Sequence, residues 1–257
     1  MSKKEKDGAE LFDAFYSGIW KERWPALKAS LLSECKEMVA IEGLRNPYYI
    51  DRASYQVALS LPVRKGDSVL DMCAAPGGKS LVIATRLQGT GCLVANDRSP
   101  DRRTRLRQSL SNCLEATDNI KVTGFDASRW GLYEKEAYDA VLLDAPCSSE
   151  RHVINDPKHL SIWTPSRPKR LCREQYAMLA SAFLALRKGG YLLYSTCSIN
   201  LAEDSMVISR YMERHEGEAV EERIGIEGAE ALEYGNIILP DAQNGRGPMY
   251  CCLLRKA

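Results

Sequence analysis

The chain has 257 residues, of which 45% are hydrophobic and 27% charged, so it can form an ordinary globular core without disulfides or a structural metal. The formal net charge of +1 gives no overall sign of a nucleic-acid partner, which only local clustering of charge can then indicate. No apolar run approaches the roughly 20 residues of a membrane span, and the N-terminus leads into no signal-type apolar segment, so neither membrane insertion nor export is predicted.

The first 45 residues are predicted to form a helical extension. Leu27, Leu31 and Leu32 recur at helical steps within a pattern that runs from residue 11 to residue 44, with Gly43 as a stop. The remainder, residues 46–257, is predicted to form one domain.

From residue 67 the chain alternates between strand and helix patterns. We predict strands at residues 68–72, 92–95, 120–123, 138–143 and 191–194, and helices at residues 80–87, 101–110 and 173–186, the last closed by Gly189 and Gly190. Strands separated by helices predict a parallel sheet with helices on both faces, an α/β doubly wound fold. Residues 145–170 are predicted to be a long functional loop and residues 203–233 a solvated acidic helix and loop.

Chemically versatile residues lie at or just beyond the ends of these strands: Asp71, Asp97, Asp126, Asp144 and Cys197. Ligands of such sheets bind beyond the carboxyl ends of the strands, so this edge is the predicted site. Asp97 is placed to accept hydrogen bonds from ribose hydroxyls and Asp126 from an adenine amino group. Taken alone, Asp97 is equally an ordinary capping or solvated residue, and for Asp126 the role of a plain turn residue is favoured.

Residues 71–80, DMCAAPGGKS, join the first strand to the first helix. Small residues before a helix start suit either a nucleotide phosphate or the carboxylate end of S-adenosylmethionine. A phosphate-binding P-loop, G-x-x-x-x-G-K-[ST], would need glycine at position 73, where this chain has Cys73. The rest of the pattern matches, and Asp144 would pass for its metal-binding aspartate. A P-loop ATPase is therefore the strongest alternative, and a glycine turn without a ligand is the plain one.

Cys147 and Cys197 follow the fourth and fifth predicted strands, within the sequences DAPC and STCS. A cysteine is often only a small buried hydrophobe, and that interpretation applies to Cys35, Cys92, Cys113, Cys172, Cys251 and Cys252. It is weaker for the two that lie where substrates bind. The nine cysteines form no C-x-x-C pair and the three histidines are scattered, so no metal site is predicted, and many free thiols favour a cytoplasmic or other reducing intracellular compartment.

Two basic clusters provide local positive charge despite the neutral total. They are Arg98, Arg102, Arg103, Arg105 and Arg107, and then Arg167, Lys169, Arg170 and Arg173. Either can hold RNA phosphates, although such runs are commonly solvated helix faces, and Arg102 lies close to the predicted cofactor side.

Three motifs, at residues 71–79, 144–147 and 195–198, occur in the order seen in the Nop/Sun family of RNA 5-methylcytosine methyltransferases, which the chain resembles over about residues 45–257. Residues 16–27 and 247–250 look most similar to compact mitochondrial members that act on small-subunit ribosomal RNA or on a transfer RNA. The resemblance implies a Rossmann-like class I methyltransferase fold, S-adenosylmethionine as cofactor, and RNA as partner. It leaves no room for a separate RNA-binding domain, so the catalytic domain, the extension or a partner protein would select the RNA.

The resemblance also implies roles for individual residues. The cofactor site would consist of Cys73, Ala74, Ala75, Pro76, Gly77, Gly78, Lys79, Asp97, Arg102, Asp126 and Asp144. Cys197 would be the covalent nucleophile, and Cys147 would help to release the product. The chain departs from the family at residues 148–150, Ser-Ser-Glu, where many members have Ser-Gly.

The chemistry explains why these groups are needed. Carbon 5 of cytosine is a poor nucleophile, and addition of a thiolate to carbon 6 makes it enamine-like and able to attack a sulfonium methyl group. Asp144, protonated or sharing a proton with the ring nitrogen, would stabilise the adduct, with Lys79 as the nearest cation. The base must be unpaired or extruded to enter such a pocket. A third possibility is a non-catalytic RNA-binding protein on the same fold, against which the intact pair of cysteines argues.

Overall fold

A computed structural model of the chain describes residues 7–34 and 37–257. The predicted extension is helical in α1 (Gly8–Trp20), a 3₁₀ turn (Lys21–Arg23) and α2 (Trp24–Leu32). The helical prediction is wrong after Leu32, because β1 (Met38–Ala40) and β2 (Tyr49–Asp51) pair as a small antiparallel sheet.

The expected alternation of strand and helix follows. Its elements are α3 (Arg52–Ser60), β3 (Ser68–Asp71), α4 (Gly78–Leu87), β4 (Cys92–Asn96), α5 (Pro100–Cys113), β5 (Ile120–Thr123), a 3₁₀ helix (Ala127–Leu132) and β6 (Tyr138–Asp144). The predicted strands and helices of this region are confirmed, with boundaries that differ by at most three residues.

The second half differs more from the sequence prediction. Its elements are α6 (Glu150–Asn155), α7 (Pro157–Ser161), α8 (Ser166–Ala185), β7 (Leu186–Thr196), α9 (Ser205–Arg214), β8 (Ala219–Glu222), β9 (Glu230–Ala231), β10 (Asn236–Ile238) and β11 (Met249–Lys256). The loop predicted at residues 145–170 is wrong, since it holds two short helices and the start of α8. The solvated segment predicted at residues 203–233 is also largely wrong, because α9 buries one face and β8 joins the sheet.

Gly189 and Gly190 lie within β7 and do not close the preceding helix. A Cβ atom at Gly190 would lie 2.8 Å from the Asp139 carbonyl oxygen, so the neighbouring strand leaves no space for a side chain there. The register between β6 and β7 shifts between Tyr138 and Ala140 in the same region. Gly190 therefore serves a close approach of two strands, whereas Gly189 has φ of 73°, a conformation that side chains rarely adopt.

The main sheet has the strand order β5-β4-β3-β6-β7-β11-β10-β9, with β8 paired to β11. The strands from β5 to β7 are parallel, which confirms the predicted doubly wound sheet. The C-terminal strands add antiparallel pairs that the sequence patterns did not predict.

Side chains alternate between two cores, one on each face of the sheet. One core joins the sheet to α8, α9 and the extension, whose Phe12, Tyr16 and Trp24 pack there with Trp163. The other joins it to α3, α4 and α5. Because the extension shares a core with the sheet, the boundary between residues 45 and 46 stays a prediction.

The cysteines interpreted as buried hydrophobes largely follow that interpretation. Cys113, Cys251 and Cys252 are buried, Cys92 and Cys172 are half-buried, and Cys35 lies outside the described residues. Among residues 7–34 and 37–257, no helix is long and apolar enough to cross a membrane.

Candidate active site

Three adjoining cavities lie at the carboxyl edge of the parallel strands. The acidic cleft has a volume of about 660 Å³ and is lined by Asp97 and Asp126. The bridging cavity has a volume of about 230 Å³ and is lined by Lys79 and Asp144. The cysteine cleft has a volume of about 570 Å³ and is lined by Cys197. Cys73 lines both the acidic cleft and the bridging cavity. Asp51 and Ser54 line both the bridging cavity and the cysteine cleft. Shared lining residues thereby connect the three cavities, and all predicted cofactor and catalytic residues except Gly77 and Cys147 line them.

Asp97 directs a buried carboxylate into the acidic cleft. Its Oδ1 accepts from the Ser99 backbone N–H at 2.9 Å, whereas its Oδ2 is buried and accepts no hydrogen bond. The nearest cation is Arg102, with Nη1 3.4 Å from Oδ2. A buried acceptor without a donor is costly, so this oxygen suits a ligand that supplies hydroxyl donors.

Asp126 lies across the same cleft and caps the 3₁₀ helix after β5. Its Oδ1 accepts from the Ser128 N–H at 3.0 Å and from the Ser128 hydroxyl at 2.7 Å. The hydroxyl hydrogen bond is the main reason that the pKa of Asp126 is lowered, against the opposing effect of burial. Asp126 therefore caps the turn, as an ordinary turn residue does, and it also offers an ionised carboxylate to the cleft as a hydrogen-bond acceptor.

The glycine turn places the start of α4 beside these acids. Gly77 has φ of 119°, and a Cβ atom there would lie 3.2 Å from Leu106, so glycine is required by conformation and by space. Arg102 Nη2 donates to the Ala75 carbonyl at 2.6 Å and fixes the turn from the far side. The first amides of α4 have no partner within the helix and make its N-terminus an anion site.

Asp71 is fully buried at the end of β3. The Ser80 hydroxyl donates to its Oδ2 at 2.6 Å and ties α4 to the sheet. Burial raises the pKa of Asp71 to about 7 despite that hydrogen bond.

Lys79 and Asp144 form an ion pair in the bridging cavity. Lys79 Nζ lies 2.8 Å from Asp144 Oδ2, and the Ser195 hydroxyl donates to Asp144 Oδ1 at 2.8 Å. Burial lowers the pKa of Lys79, but the Asp144 carboxylate outweighs burial and the net pKa is raised. The lysine is therefore a fixed positive charge beside the thiols.

Cys147 and Cys197 are brought into direct contact, with their Sγ atoms 3.1 Å apart. The pKa of Cys197 is lowered, first because the Cys147 thiol donates to it, and further by Ser149 and Lys79, against burial. The pKa of Cys147 is raised well above its ordinary value, first by the same hydrogen bond and then by burial. The arrangement therefore favours ionisation of Cys197 over ionisation of Cys147.

Two buried glutamates connect the loops that carry these cysteines. Glu150, three residues after Cys147, accepts from the Ser198 hydroxyl at 2.8 Å and from the Ile199 N–H at 3.2 Å. Glu203, six residues after Cys197, accepts from the Ser148 N–H at 2.8 Å and also from the Ser148 hydroxyl. Each loop thus supplies an acceptor for the other, and the separation of the thiols is fixed.

The extension takes part in this network. The Tyr16 hydroxyl donates to Glu150 Oε1 at 2.6 Å, and Trp20 Nε1 donates to the Ile199 carbonyl at 3.0 Å. Burial and the charge of Glu203 raise the pKa of Glu150 to about 8, against the donors that contact it.

Sequence reasoning did not assign a role to Glu150, Glu203 or Tyr16. The available signal was an acidic residue at a short fixed distance after each cysteine motif. The Ser148 and Ser198 donors that join the two loops lie 55 and 48 residues from their acceptors in sequence, so only the tertiary fold identifies these links.

The basic clusters are partly used within the protein. Arg102 and Arg103 donate to backbone carbonyls of the cofactor side, and Arg170 pairs with Glu174. Arg105 and Arg107 are exposed on α5.

His152 and His159 lie closer together than their sequence separation indicated, with ring centroids 5.2 Å apart around Asp156. The Asp156 carboxylate already caps α7 and contacts His159 Nδ1 at 2.7 Å. This exposed cluster on α6 and α7 does not change the prediction that the site works without a metal.

Comparison with known proteins adds an independent line of evidence. The family model "16S rRNA methyltransferase RsmB/F" matches residues 58–255. The 5-cytosine rRNA methyltransferase NSUN4 of Bos taurus is 33% identical over 234 residues, which cover 82% of this chain and 59% of that protein. The ribosomal RNA small subunit methyltransferase F of Erwinia tasmaniensis is 39% identical over 177 residues, which cover 68% of this chain and 37% of that protein. The chain therefore spans less than two thirds of the length of these relatives.

Solved structures agree on the fold. NSun6 from Pyrococcus horikoshii, crystallised with SFG, has a TM-score of 0.70 and 26% identity, covering 82% of this chain and 53% of that one. A methyltransferase homolog protein from Pyrococcus horikoshii has a TM-score of 0.78 over 96% of this chain and 95% of its own, and at 21% identity it supports the fold alone. On the extent of the family match and the identity to its relatives, the chain belongs to the RsmB/F methyltransferases, the Nop/Sun family that its three sequence motifs resemble.

Proposed function

We propose that the protein is an S-adenosylmethionine-dependent methyltransferase that modifies carbon 5 of cytosine in RNA. The observation that carries the proposal is the contact between Cys147 and Cys197, 3.1 Å apart at one end of three joined cavities. Family membership supports it, and two relatives are named as ribosomal RNA methyltransferases. Ribosomal RNA is therefore the preferred substrate class, with transfer RNA as the alternative.

The acidic cleft fits S-adenosylmethionine. The buried Oδ2 of Asp97, which accepts no hydrogen bond, would take the ribose hydroxyls, and Asp126 would accept from the adenine amino group. The α4 N-terminus and the backbone from Cys73 to Lys79 would hold the carboxylate end. When bound, the cofactor supplies an electrophilic methyl group at the bridging cavity.

The chain's own residues would prepare the base for that methyl group. Cys197 adds to carbon 6 as the thiolate, and ring nitrogen 3 shares a proton with Asp144, which Lys79 keeps in place at 2.8 Å. After transfer, the proton on carbon 5 passes to a base such as solvent hydroxide, and its electron pair restores the double bond between carbons 5 and 6. The bond between carbon 6 and Cys197 then breaks, and its electron pair returns to sulfur. Cys147 lies against Cys197 and is placed to assist this release.

The alternatives fit the site less well. A P-loop ATPase would need glycine at position 73, where this chain has Cys73, and it gives no reason for the buried Asp97 Oδ2 that accepts no hydrogen bond. A binding protein without catalysis gives no reason for two thiols in contact. The eight cysteines that the structure describes are all free, which supports a reducing compartment, cytoplasmic or mitochondrial.

The test is methyl transfer from labelled S-adenosylmethionine to RNA isolated from cells that lack the gene. We expect label in 5-methylcytosine of one RNA, at a position that bisulfite sequencing finds protected only when the gene is present. Calorimetry with ATP and magnesium is the parallel measurement. Tight ATP binding without cofactor binding, or label on another base, would contradict the proposal.

A further inference from the structure

Ser149 has a backbone conformation that side chains rarely adopt. It lies between Cys147 and α6 with φ of 52° and ψ of 56°, in the left-handed region that glycine occupies without strain. The position therefore favours glycine on grounds of stability. The hydroxyl of the serine at this position is therefore a candidate for a functional role.

The hydroxyl lies against both sulfur atoms of the site. Ser149 Oγ is 3.3 Å from Cys197 Sγ and 3.5 Å from Cys147 Sγ. The backbone of Ser149 is anchored to α6, because its carbonyl accepts hydrogen bonds from the N–H groups of His152 and Val153 in the first turn of that helix. Its neighbours Ser148 and Glu150 belong to the buried links between the two loops.

The direction of this hydrogen bond follows from the charge of Cys197. A thiolate has no proton to give, so the Ser149 hydroxyl must be the donor when Cys197 is ionised. Hydrogen bonds to a charged acceptor are stronger than those between neutral groups. The same hydroxyl also lies 3.4 Å from the Cys147 carbonyl, a neutral acceptor that competes less well.

We propose that Ser149 is a further catalytic residue, whose hydroxyl stabilises the Cys197 thiolate before attack on carbon 6 and again when the bond to carbon 6 breaks and the electron pair returns to sulfur. For its catalytic consequence this inference rests on the proposed function. The contact itself can be measured on the free protein.

Two variants test the role, Ser149→Gly and Ser149→Ala, with Gln88→Gly as the matched control. Gln88 has φ of 51° at the end of α4, so its replacement relieves the same kind of strain away from the thiols. The titratable and charged groups that face Cys197 are Cys147, Lys79, Asp144 and Asp204, and all stay unchanged in these variants.

The first measurement is the rate of Cys197 alkylation by iodoacetamide against pH, followed by peptide mass spectrometry without RNA or cofactor. We expect both Ser149 variants to move the alkylation curve to higher pH and to lower kcat by about tenfold, the effect of one charge-assisted hydrogen bond. Ser149→Gly and Gln88→Gly should both keep or raise the melting temperature, so a loss of activity in Ser149→Gly would not follow from a loss of stability. Gln88→Gly should leave the alkylation curve unchanged.

The inference is overturned if the Ser149 variants alkylate at Cys197 with the wild-type pH profile, or if kcat falls only in proportion to lost stability. If the alkylation curve moves but the wild-type protein transfers no methyl group to cytosine, the hydrogen bond is confirmed and the proposed function fails. Ser149→Ala retains a Cβ atom and keeps the test decisive if the glycine variant does not fold.

Discussion

The loops after β6 and β7 present the same functional group in two different environments. Cys147 is 9% exposed, and its hydrogen bond with Cys197, followed by burial, raises its pKa. Cys197 is more accessible, lines the cysteine cleft, and receives the Cys147 thiol, the Ser149 hydroxyl and the charge of Lys79. The first environment retains a proton and the second disfavours one.

This difference shows that a thiol's role is set by the donors and charges around it more than by its own chemistry. An attacking group needs an open approach and a stabilised negative charge. A group that assists release needs a proton to give and a fixed position beside the first. Substitutions at these positions measure how far the two environments differ.

The largest effect is expected from the two cysteine substitutions. Cys197→Ala should lose at least about a thousandfold in activity and leave RNA free, because no adduct forms. Cys147→Ala should form the adduct and accept the methyl group but release product poorly, so RNA stays bound covalently. A denaturing gel with labelled RNA and cofactor separates the two outcomes.

The double variant is the control, since the shifted band must disappear with Cys197. A shifted band for Cys197→Ala alone would reverse the roles and assign attack to Cys147. If neither variant traps RNA and both only lose stability, the thiols are packing residues.

The acidic cleft is expected to bind its ligand independently of the two thiols. Asp97→Ala should weaken S-adenosylmethionine binding by about 1–3 kcal/mol, the range for a lost hydrogen bond to a buried group. Titration calorimetry measures this, and Asp101→Ala, an exposed acid at the start of α5, serves as the control. Alkylation of Cys197 should stay as in wild type, and a loss of thiol reactivity would show that the two regions are coupled.

The support of the Cys197 loop from the extension gives a third test. Tyr16→Phe removes the hydroxyl that donates to Glu150, so the loop should shift and kcat should fall by about tenfold or more, as expected for sub-ångström misplacement of a reacting group. Cofactor affinity should be unchanged.

Tyr138→Phe is the matched control, because its buried hydroxyl donates to Glu134 at the opposite end of β6. It should lower the melting temperature without changing kcat per folded molecule. Equal effects of the two variants on kcat would refute a special role for Tyr16.

The smallest effect is a shift in pH dependence. Cys197 reacts as the thiolate, so its reactivity rises with pH through its pKa, which lies below the ordinary thiol value. Cys147→Ala removes the main donor, so that pKa should rise and the alkylation curve should move to higher pH, with a rate near neutrality roughly a few-fold lower. An unmoved curve would mean that Ser149 and Lys79 alone stabilise the thiolate.

The sequence predicted the parallel half of the fold well, because each strand there is a short apolar run followed by a helical pattern. The predicted strand at residues 191–194 lies within β7, but the start of β7 was not predicted, because Gly189 and Gly190 look like a helix stop. Gly190 instead allows close packing against β6. The segment at residues 145–170 was misread as a loop since α6 and α7 are too short to show a helical period.

Prediction of the candidate site from the sequence has the same limit, because local patterns do not encode contacts between distant loops. Asp97, Asp144 and Cys197 were predicted because the carboxyl ends of parallel strands meet at one edge. The partnership of Glu150 with Ser198 depends on the separation of two loops, which no local pattern encodes. Roles of the individual site residues stay predictions until the variants above are measured.

The antiparallel strand β11 has a consequence for how the protein is made. It pairs with β7 from Tyr191 to Thr196, so the strand that leads to Cys197 lies between two others only after residues 249–256 have joined the sheet. During synthesis on the ribosome, β7 is an open sheet edge until those residues emerge. The strand that leads to Cys197 therefore reaches its final environment only after residues 249–256 have emerged and paired with it.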